Sequence, residues 1–352
     1  MKIRPRVAVV AASLDIVGGQ GVQARSLVDA LRSDGYAVTF LAINPRFPRG
    51  LGWLRNVRYL RTCANQMIYL PSLARLASVD VVHVFSASYW SFLLAPVPAM
   101  IAARGLKKRV VLHYHSGEAD DHLSNWGHLV HPWLRLADEI VVPSEYLRTV
   151  FARHGCRSRV IANVVDLSRF QYRERAPLRP RLLSTRNLEP YYQVDVILEA
   201  FARFKAMEPA ATLTVAGFGS EESRLRRRAE VIAGDAIRFV GKVDPERMPA
   251  LYAEADIFLN ASVVDNQPVS ILEALSAGLP VVSTRAGDIP FMVRHGETGL
   301  LVPPSDPQAL ADAVAVLWRD PDRARHMARQ ARRDVAKHTW SAVRDAWAEA
   351  YA

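Results

Sequence analysis

The sequence has few cysteines and no uninterrupted apolar segment that would suggest a membrane span. Its 352 residues include two cysteines, Cys63 and Cys156, whose spacing fits neither a metal site nor a redox motif. We interpret them as reduced thiols of a cytoplasmic protein. Residues 81–103 carry no Asp, Glu, Lys or Arg, but Pro96 and Pro98 interrupt them. We therefore expect a strand and a separate buried helix there, not a transmembrane helix.

Acidic residues are outnumbered by basic ones. The formal net charge is +10 and the sequence pI is about 9.8, which favours an anionic partner such as a nucleotide, a nucleic acid or an acidic membrane surface. No basic and aromatic recognition motif accompanies this charge, so we expect no nucleic-acid partner. Residues 1–6 run directly into an apolar strand, so we expect no signal peptide and a cytoplasmic location.

Predicted strands and helices alternate in two successive series. The strands are predicted at residues 7–11, 37–42, 80–85, 109–114, 139–143 and 160–163, and then at 181–184, 211–217, 237–241, 255–260 and 280–284. A polar joint rich in arginine and proline, residues 171–181, separates the two series. This pattern predicts the α/β class, with a Rossmann-like N-terminal domain at 1–172 and a second Rossmann-like domain at 173–335.

The most informative stretch begins at Asp265 and ends near residue 282. It places Asp265 in a loop after a predicted strand, opens a helix with Pro268 and puts Glu273 inside that helix. Asn266 or Gln267 occupies the position of a helix cap. The two carboxylates should lie on the order of 10 Å apart, with the free N–H groups of a helix start between them. This layout suits a nucleotide diphosphate sugar; the alternative is an acidic pair that serves only a surface ion pair and a turn.

Two other motifs suggest different chemistry. Gly19 to Ala24 fits the G-x-G-x-x-A dinucleotide pattern, but a five-residue loop separates it from the strand, and no acidic residue ends the second strand. A nicotinamide-dependent enzyme is therefore an alternative, while Gly18 and Gly19 more readily bring backbone amides close to a phosphate or sugar. His113 and His115 lack the Asp and His that a zinc site of this pattern needs, so we expect no metal.

Further segments resemble a known family. They are Gly18-Gly19, His115, Val142 to Leu147, Asn163 to Asp166, Ala216 to Gly219, Pro268 to Thr284 and His295 to Pro303. In this order and spacing the chain resembles the family 4 glycosyltransferases of the GT-B fold over nearly its whole length. The resemblance implies two domains facing a central cleft, with a terminal helix, within residues 336–352, that crosses back to the first domain.

The resemblance also implies an activity. The expected reaction transfers a sugar, of the hexosyl type, from a nucleotide diphosphate sugar to a hydroxyl acceptor: a glycan, a glycolipid or a small molecule. It proceeds with retention of configuration and needs no metal and no cofactor, because the nucleotide sugar is a co-substrate. A role in cell-envelope or polysaccharide biosynthesis would follow.

Roles for individual residues follow from the same resemblance. The catalytic residues would be His115 beside the reacting sugar, Arg186 at the leaving diphosphate and Asp265 at the donor sugar hydroxyls. Donor-binding positions would be Gly18, Gly19, Asn266, Gln267, Val269, Ser270 and Glu273, the last at the nucleoside ribose. Candidate acceptor or base contacts are Asn163, Gly217, Lys242 and Val243.

Two features depart from the usual pattern. No lysine follows Arg186 within residues 186–193, where the family has a second phosphate-binding cation, so a catalytically inactive sugar-nucleotide-binding protein is an alternative. Residues 46–75 interleave arginines with large apolar side chains. This segment is either a peripheral membrane contact on anionic lipid, serving a lipid-linked acceptor, or a solvated helix over the acceptor side of the cleft.

Overall fold

The chain divides into two compact units, each built on one parallel sheet. The computed structural model describes residues 4–14, 19–45, 47 and 58–352. Contacts group Met1–Val164 with Val343–Ala352 in the first unit, and Val165–Ala342 form the second. Each unit holds a six-stranded sheet, which confirms the predicted α/β class with two Rossmann-like halves.

The first sheet is parallel throughout. Its strands are β1 (Val7–Ala11), β2 (Val38–Ala42), β3 (Val81–Ser86), β4 (Arg109–Tyr114), β5 (Glu139–Val142) and β6 (Arg159–Val160), in the order β2-β1-β3-β4-β5-β6. The central strands β1 and β3 are buried along their whole length. Continuous apolar runs of this kind are what parallel strands need when both faces are covered.

The helices of the first unit that the described residues form before residue 164 alternate with these strands. They are α1 (Gly19–Ser33), α2 (Arg58–Ser72), α3 (Tyr89–Leu94), α4 (Pro96–Gly105), α5 (Ala119–Leu134) and α6 (Glu145–Arg153). Ser144 caps α6, because its Oγ accepts a hydrogen bond from the N–H of Leu147 at 3.1 Å. Residues 81–103 form β3, α3 and part of α4, and no helix in the described ranges is long and apolar enough to cross a bilayer.

The apolar pattern of the sequence predicts a helix over residues 129–136, but α5 begins earlier, at Ala119. Its first turn carries Asp120 and Asp121, which interrupt the apolar pattern but suit the positive end of a helix.

The second sheet is also parallel. Its strands are β7 (Arg181–Ser184), β8 (Thr212–Ala216), β9 (Ile237–Gly241), β10 (Ile257–Asn260), β11 (Val281–Thr284) and β12 (Leu300–Val302), in the order β12-β11-β10-β7-β8-β9. The helices are α7 (Val194–Met207), α8 (Glu222–Ala233), α9 (Met248–Glu254), α10 (Val269–Ser276), α11 (Ile289–Met292), α12 (Pro307–Arg319) and α13 (Pro321–Asp334). Adjacent strands β10, β7 and β8 lie at the centre of this sheet.

The last helix, α14 (Trp340–Tyr351), returns to the first sheet as predicted. Arg109 Nε on β4 donates a hydrogen bond to the carbonyl of Ala350 at 2.9 Å. Trp347 is almost fully buried, with its ring 4.9 Å from the ring of His83 on β3. The helix therefore covers the face of the sheet to which His83 belongs.

Candidate functional site

Loops that follow three neighbouring strands of the second sheet carry several of the predicted site residues of that unit. Arg186 follows β7, Gly217 follows β8 and Asp265 lies in the loop after β10. Because the strands are parallel, these loops leave the sheet at the same edge. This carboxyl edge is where open α/β sheets bind ligands.

A buried ion pair lies at the centre of this edge. Arg186 Nη2 donates to Asp265 Oδ2 at 2.7 Å, and Nη1 donates to Ser270 Oγ at 3.0 Å. The guanidinium also lies 3.9 Å from the ring centroid of Tyr192. Arg186 and Asp265 are 8% and 9% exposed, so both charges are largely desolvated. A buried pair of this kind tolerates the loss of neither partner.

One nitrogen of the Arg186 guanidinium makes no hydrogen bond within the described residues. This atom, Nε, is buried and has no acceptor in the part of the chain that the structure describes. An unpaired donor on a buried cation is costly unless a ligand satisfies it. Arg186 is therefore suited to receive an additional anionic oxygen.

Burial and the neighbouring donors act in opposite directions on the pKa of Asp265. Desolvation raises the pKa of its carboxyl above the ordinary value, while Arg186, the Ser262 hydroxyl and the Asn266 N–H oppose that rise. The opposing contacts all stabilise the carboxylate. The loop therefore holds a negative charge next to a fixed positive one.

Helix α10 begins beside the Arg186–Asp265 ion pair. It begins at Val269, one residue later than predicted, and Pro268 is its cap in place of Asn266 or Gln267. The correction follows from backbone geometry: Pro268 has an extended ψ of 114°, and its carbonyl accepts from the N–H of Ile271 at 3.1 Å. Because proline has no N–H, the helix loses no donor by this shift.

The first N–H groups of α10 are available to a ligand. The backbone N–H groups of Val269 and Ser270 are the first of the helix and have no acceptor within it. The positive end of the helix dipole adds to these donors. Ser270 therefore links the helix start to the Arg186 guanidinium through its side chain and offers its N–H separately.

Glu273, one turn further along α10, is held by a tyrosine that sequence reasoning missed. Tyr252 Oη on α9 donates to Glu273 Oε2 at 2.8 Å, lies 3.2 Å from the carbonyl of Ser270 and pairs with Thr185 Oγ1 at 2.7 Å. Burial raises the pKa of Glu273 to about 7, although Tyr252 and Arg169 both lower it. Glu273 is therefore partly protonated near neutral pH.

Glycines let the site loops pack closely. Gly287 has φ +52°, and a Cβ there would overlap the carbonyl oxygen of Asp265. The next residue, Asp288, donates its N–H to the same carbonyl at 3.2 Å. A Cβ at Gly217 would likewise overlap the carbonyl oxygen of Arg186. The backbones of Arg186 and Asp265 are thus fixed by neighbouring loops.

The remaining predicted positions of the second unit lie around this pair. Asn266 and Gln267 are buried in the loop between Asp265 and α10. Lys242 and Val243 follow β9, one strand beyond β8, and Lys242 Nζ lies 5.8 Å from the ring centroid of Phe218. Lys242 is exposed, so the structure places it at the outer side of the edge.

In the first unit, His115 lies at the carboxyl end of β4. Its N–H donates to the carbonyl of Ser86 at 3.1 Å, and the same carbonyl accepts from Gln20 Nε2 on α1 at 3.0 Å. The first turn of α1, which starts at Gly19, is therefore next to His115. Burial lowers the pKa of His115 to about 3, so its imidazole is neutral at physiological pH.

Two further predicted positions of the first unit are Gly18 and Asn163. Gly18 lies outside the described residues. Asn163 is buried, 6% exposed, and precedes Val164, which exchanges hydrogen bonds with Gln23 on α1 at 2.9 Å. Asn163 therefore lies beside α1.

The two histidine positions that suggested zinc serve other contacts. His113 Nδ1 lies 3.2 Å from His83 Nε2, and the ring of His115 packs on that of His113 with the centroids 4.0 Å apart. In the described part of the chain, no group of three or more His, Cys, Asp or Glu side chains is arranged to hold a metal ion.

Both halves of the chain match family models. The model described as "Glycosyltransferase Family 4" matches residues 17–169, and the model described as "Glycosyl transferases group 1" matches residues 179–320. Together they include every site position discussed above.

Curated proteins of known name are similar over most of the chain. A glycogen synthase of Mycobacterium tuberculosis is 31% identical over 290 residues, which is 77% of this chain and 68% of that protein. A phosphatidyl-myo-inositol mannosyltransferase of Mycobacterium leprae is 28% identical over 353 residues, covering 94% of this chain and 92% of the relative.

Solved structures share the fold. HepE of Anabaena, crystallised with UDP-glucose, superposes with a TM-score of 0.77 at 19% identity, and a sucrose-phosphate synthase from Thermosynechococcus elongatus with 0.79 at 21%. Each comparison covers 98% of both chains. At these identities the likeness supports the two-Rossmann architecture only.

Proposed function

Because the chain belongs to glycosyltransferase family 4, we propose that it transfers a sugar from a nucleotide diphosphate sugar to an acceptor hydroxyl. One observation carries the proposal. A buried Arg186 with a donor in reserve and the free N–H end of α10 meet at Asp265, on the ligand-binding edge of the second sheet. Hydrogen-bond donors and positive charge suit a diphosphate, and the carboxylate suits sugar hydroxyls.

The diphosphate would bind between Arg186 and α10. Val269 and Ser270 offer backbone N–H groups, and the Arg186 guanidinium offers Nε. Negative charge grows on the leaving diphosphate as the sugar bond breaks. Donors already fixed in place stabilise that charge without reorganisation, which makes this the largest catalytic contribution available to the site.

The two carboxylates would grip opposite ends of the donor. Asp265 would accept hydrogen bonds from the sugar hydroxyls and Glu273 from the nucleoside ribose. Glu273 is suited to this because Tyr252 and Ser270 tie it to the same helix start that binds the diphosphate. The nucleoside and the diphosphate would therefore be positioned by one rigid element.

We propose retention of configuration without a metal or an enzymic nucleophile. Asp265, the carboxylate nearest the proposed sugar site, already accepts hydrogen bonds from Arg186 and Ser262, which makes it a poor nucleophile. A donor phosphate oxygen would take the acceptor proton during attack on the same face as the leaving group. His115, a neutral imidazole, would hydrogen-bond the sugar as a positioning group.

Neither alternative reaction class gains support. Family membership and the Arg186 pair do not favour a nicotinamide cofactor. No lysine follows Arg186, but this arginine makes two hydrogen bonds and has a buried Nε without an acceptor among the described residues, which supports an active site over an inactive binding protein.

A lipid-linked acceptor at a membrane surface is a further proposal. One relative is, by its name, a phosphatidyl-myo-inositol mannosyltransferase, and two further relatives are named putative colanic acid biosynthesis glycosyltransferases. On α2, Tyr59 is 80% exposed and Met67 is 70% exposed, and Arg61 of the same helix is also exposed. Arg46, Arg49 and Arg55 lie outside the described residues. Sedimentation with anionic vesicles at low salt tests this proposal, and absence of binding there ends it.

Thermal shift with UDP, GDP, ADP and their sugars, followed by donor hydrolysis and transfer assays, tests the central proposal. We expect stabilisation by one nucleotide class. Arg186→Lys keeps the charge but cannot bridge two partners, and should weaken diphosphate binding about 10-fold or more. Glu273→Gln removes the carboxylate proposed to bind the ribose and should weaken nucleotide binding. Glu230→Gln, at an exposed position of α8, is its matched control. Stabilisation by NADH alone, or by no nucleotide at all, would overturn the assignment.

A further inference from the structure

A buried hydrogen-bonded chain runs from the last helix to the ring that packs on His115. Tyr351 Oη on α14 lies 2.8 Å from His83 Nδ1, and His83 Nε2 lies 3.2 Å from His113 Nδ1. The His113 ring centroid is 4.0 Å from that of His115. Trp347 covers both inner histidines, at 4.9 Å from His83 and 5.0 Å from His113.

The three side chains of this hydrogen-bonded series, Tyr351, His83 and His113, are neutral. Burial lowers the pKa of His83 to about 3 and that of His113 well below its usual value, and burial raises the pKa of Tyr351. Each of the three groups therefore carries one proton that it can donate. Two of those protons make the two hydrogen bonds, and the third must remain at one end of the chain.

The relative strengths of the donors decide whether Tyr351 or His113 keeps the third proton. A phenol is a stronger donor than an imidazole N–H, and an imidazole nitrogen is a stronger acceptor than a phenol oxygen. Tyr351 therefore donates to His83 Nδ1, and His83 Nε2–H donates to His113 Nδ1. His113 is left with its proton on Nε2, a buried atom without an acceptor in the described part of the chain.

We propose that Tyr351 is a positioning residue for His115. Through His83 it fixes the tautomer and orientation of His113, and the His113 ring, in contact with the rings of both Phe85 and His115, holds His115 at the carboxyl end of β4. The last helix then acts on the reaction without touching the substrate. The inference rests on the proposed function only in its kinetic consequence.

Nitrogen chemical shifts test the chain without any activity assay. Long-range proton–nitrogen spectra of the protein labelled with nitrogen-15 histidine distinguish the Nε2–H and Nδ1–H tautomers. We expect Nε2–H at both His83 and His113, assigned with single His→Gln variants. Nδ1–H at both positions would mean that the chain runs the other way and would overturn the proposal.

Tyr351→Phe tests the effect on His115. Tyr69→Phe is the control, because Tyr69 is a buried tyrosine of the same unit that donates to the carbonyl of Ala95 at 2.7 Å, within the core on the opposite face of the sheet. The His115 resonances should shift in Tyr351→Phe and not in the control. The kcat should fall about 10-fold, with the donor KM changed less than about 2-fold.

The outcomes separate the two hypotheses. Equal His115 spectra, or equal kcat, for Tyr351→Phe and Tyr69→Phe at matched folding would refute positioning by Tyr351. A wild-type chain that transfers no sugar would instead refute the proposed function, while the histidine spectra would still decide the direction of the hydrogen-bonded chain.

Discussion

Replacing Glu273 with glutamine should remove a pH-dependent cost to folding. The carboxyl has a pKa near 4.5 when solvated, and burial raises it to about 7 in the folded chain. Glu273→Gln keeps the shape of the side chain and an oxygen that can accept from Tyr252. The variant therefore isolates the titration from the packing.

The sign and size follow from linkage. Below about pH 4.5 the carboxyl is protonated in both the folded and the unfolded chain, so it makes no pH-dependent contribution. Between about pH 4.5 and pH 7 the unfolded chain releases the proton first, so folding stability falls as pH rises. The shift corresponds to about 3 kcal/mol over the full window. At roughly 2–4 °C per kcal/mol, this is about 6–12 °C in Tm.

Thermal denaturation at pH 4.5, 6, 7 and 8 measures the effect. The Tm of the wild type should fall relative to that of Glu273→Gln as pH rises, and the difference should level off above about pH 7. Glu230→Gln, the same change at an exposed position, reports the pH dependence of the rest of the chain. A difference between wild type and Glu273→Gln that stays constant across this range would refute the reasoning.

Three further predictions concern the loops and the ligand. Gly287→Ala should cost several kcal/mol and disturb Asp265, because its Cβ overlaps the Asp265 carbonyl; Gly35→Ala, also at positive φ but in open space, should cost only about 1 kcal/mol by denaturation. Ser144→Ala should lose about 1 kcal/mol of stability through the lost cap of α6 and leave nucleotide binding unchanged. Nucleotide binding near pH 7 should release a fraction of a proton, because ribose donors favour ionised Glu273; titration calorimetry in two buffers should show this release, and Glu273→Gln should abolish it.

The sequence predicted the sheets better than the helix ends. The predicted strands at residues 7–11 and 109–114 match β1 and β4 residue for residue, because buried parallel strands are rich in apolar residues, as the VAVVA run of β1 shows. The start of α5 was missed because its first turn is acidic. That composition marks a helix N-terminus by electrostatics, not by hydrophobic periodicity.

The candidate site divides in the same way. The loop and helix around Asp265 could be predicted because their signals, a strand, a proline and a helix, lie close together in sequence. Tyr252 and Thr185 could not be predicted, since the hydrogen bonds that link them to Glu273 join three segments that are distant in sequence. The chain from Tyr351 to His113 spans most of the sequence for the same reason. Spatial partners of this kind leave no periodic or motif signal.

The Arg186–Asp265 pair suits a site that must be stable by itself and also accept the proposed donor. Without a ligand, each charge compensates the burial of the other, so neither is left alone in a desolvated loop. A diphosphate would bring anionic oxygens to Arg186 and a sugar would bring hydroxyl donors to Asp265, so both partners gain new contacts in one event. Binding either half of the donor alone would pull on one partner and leave the other less well satisfied. The geometry therefore favours the intact nucleotide sugar over its separate parts.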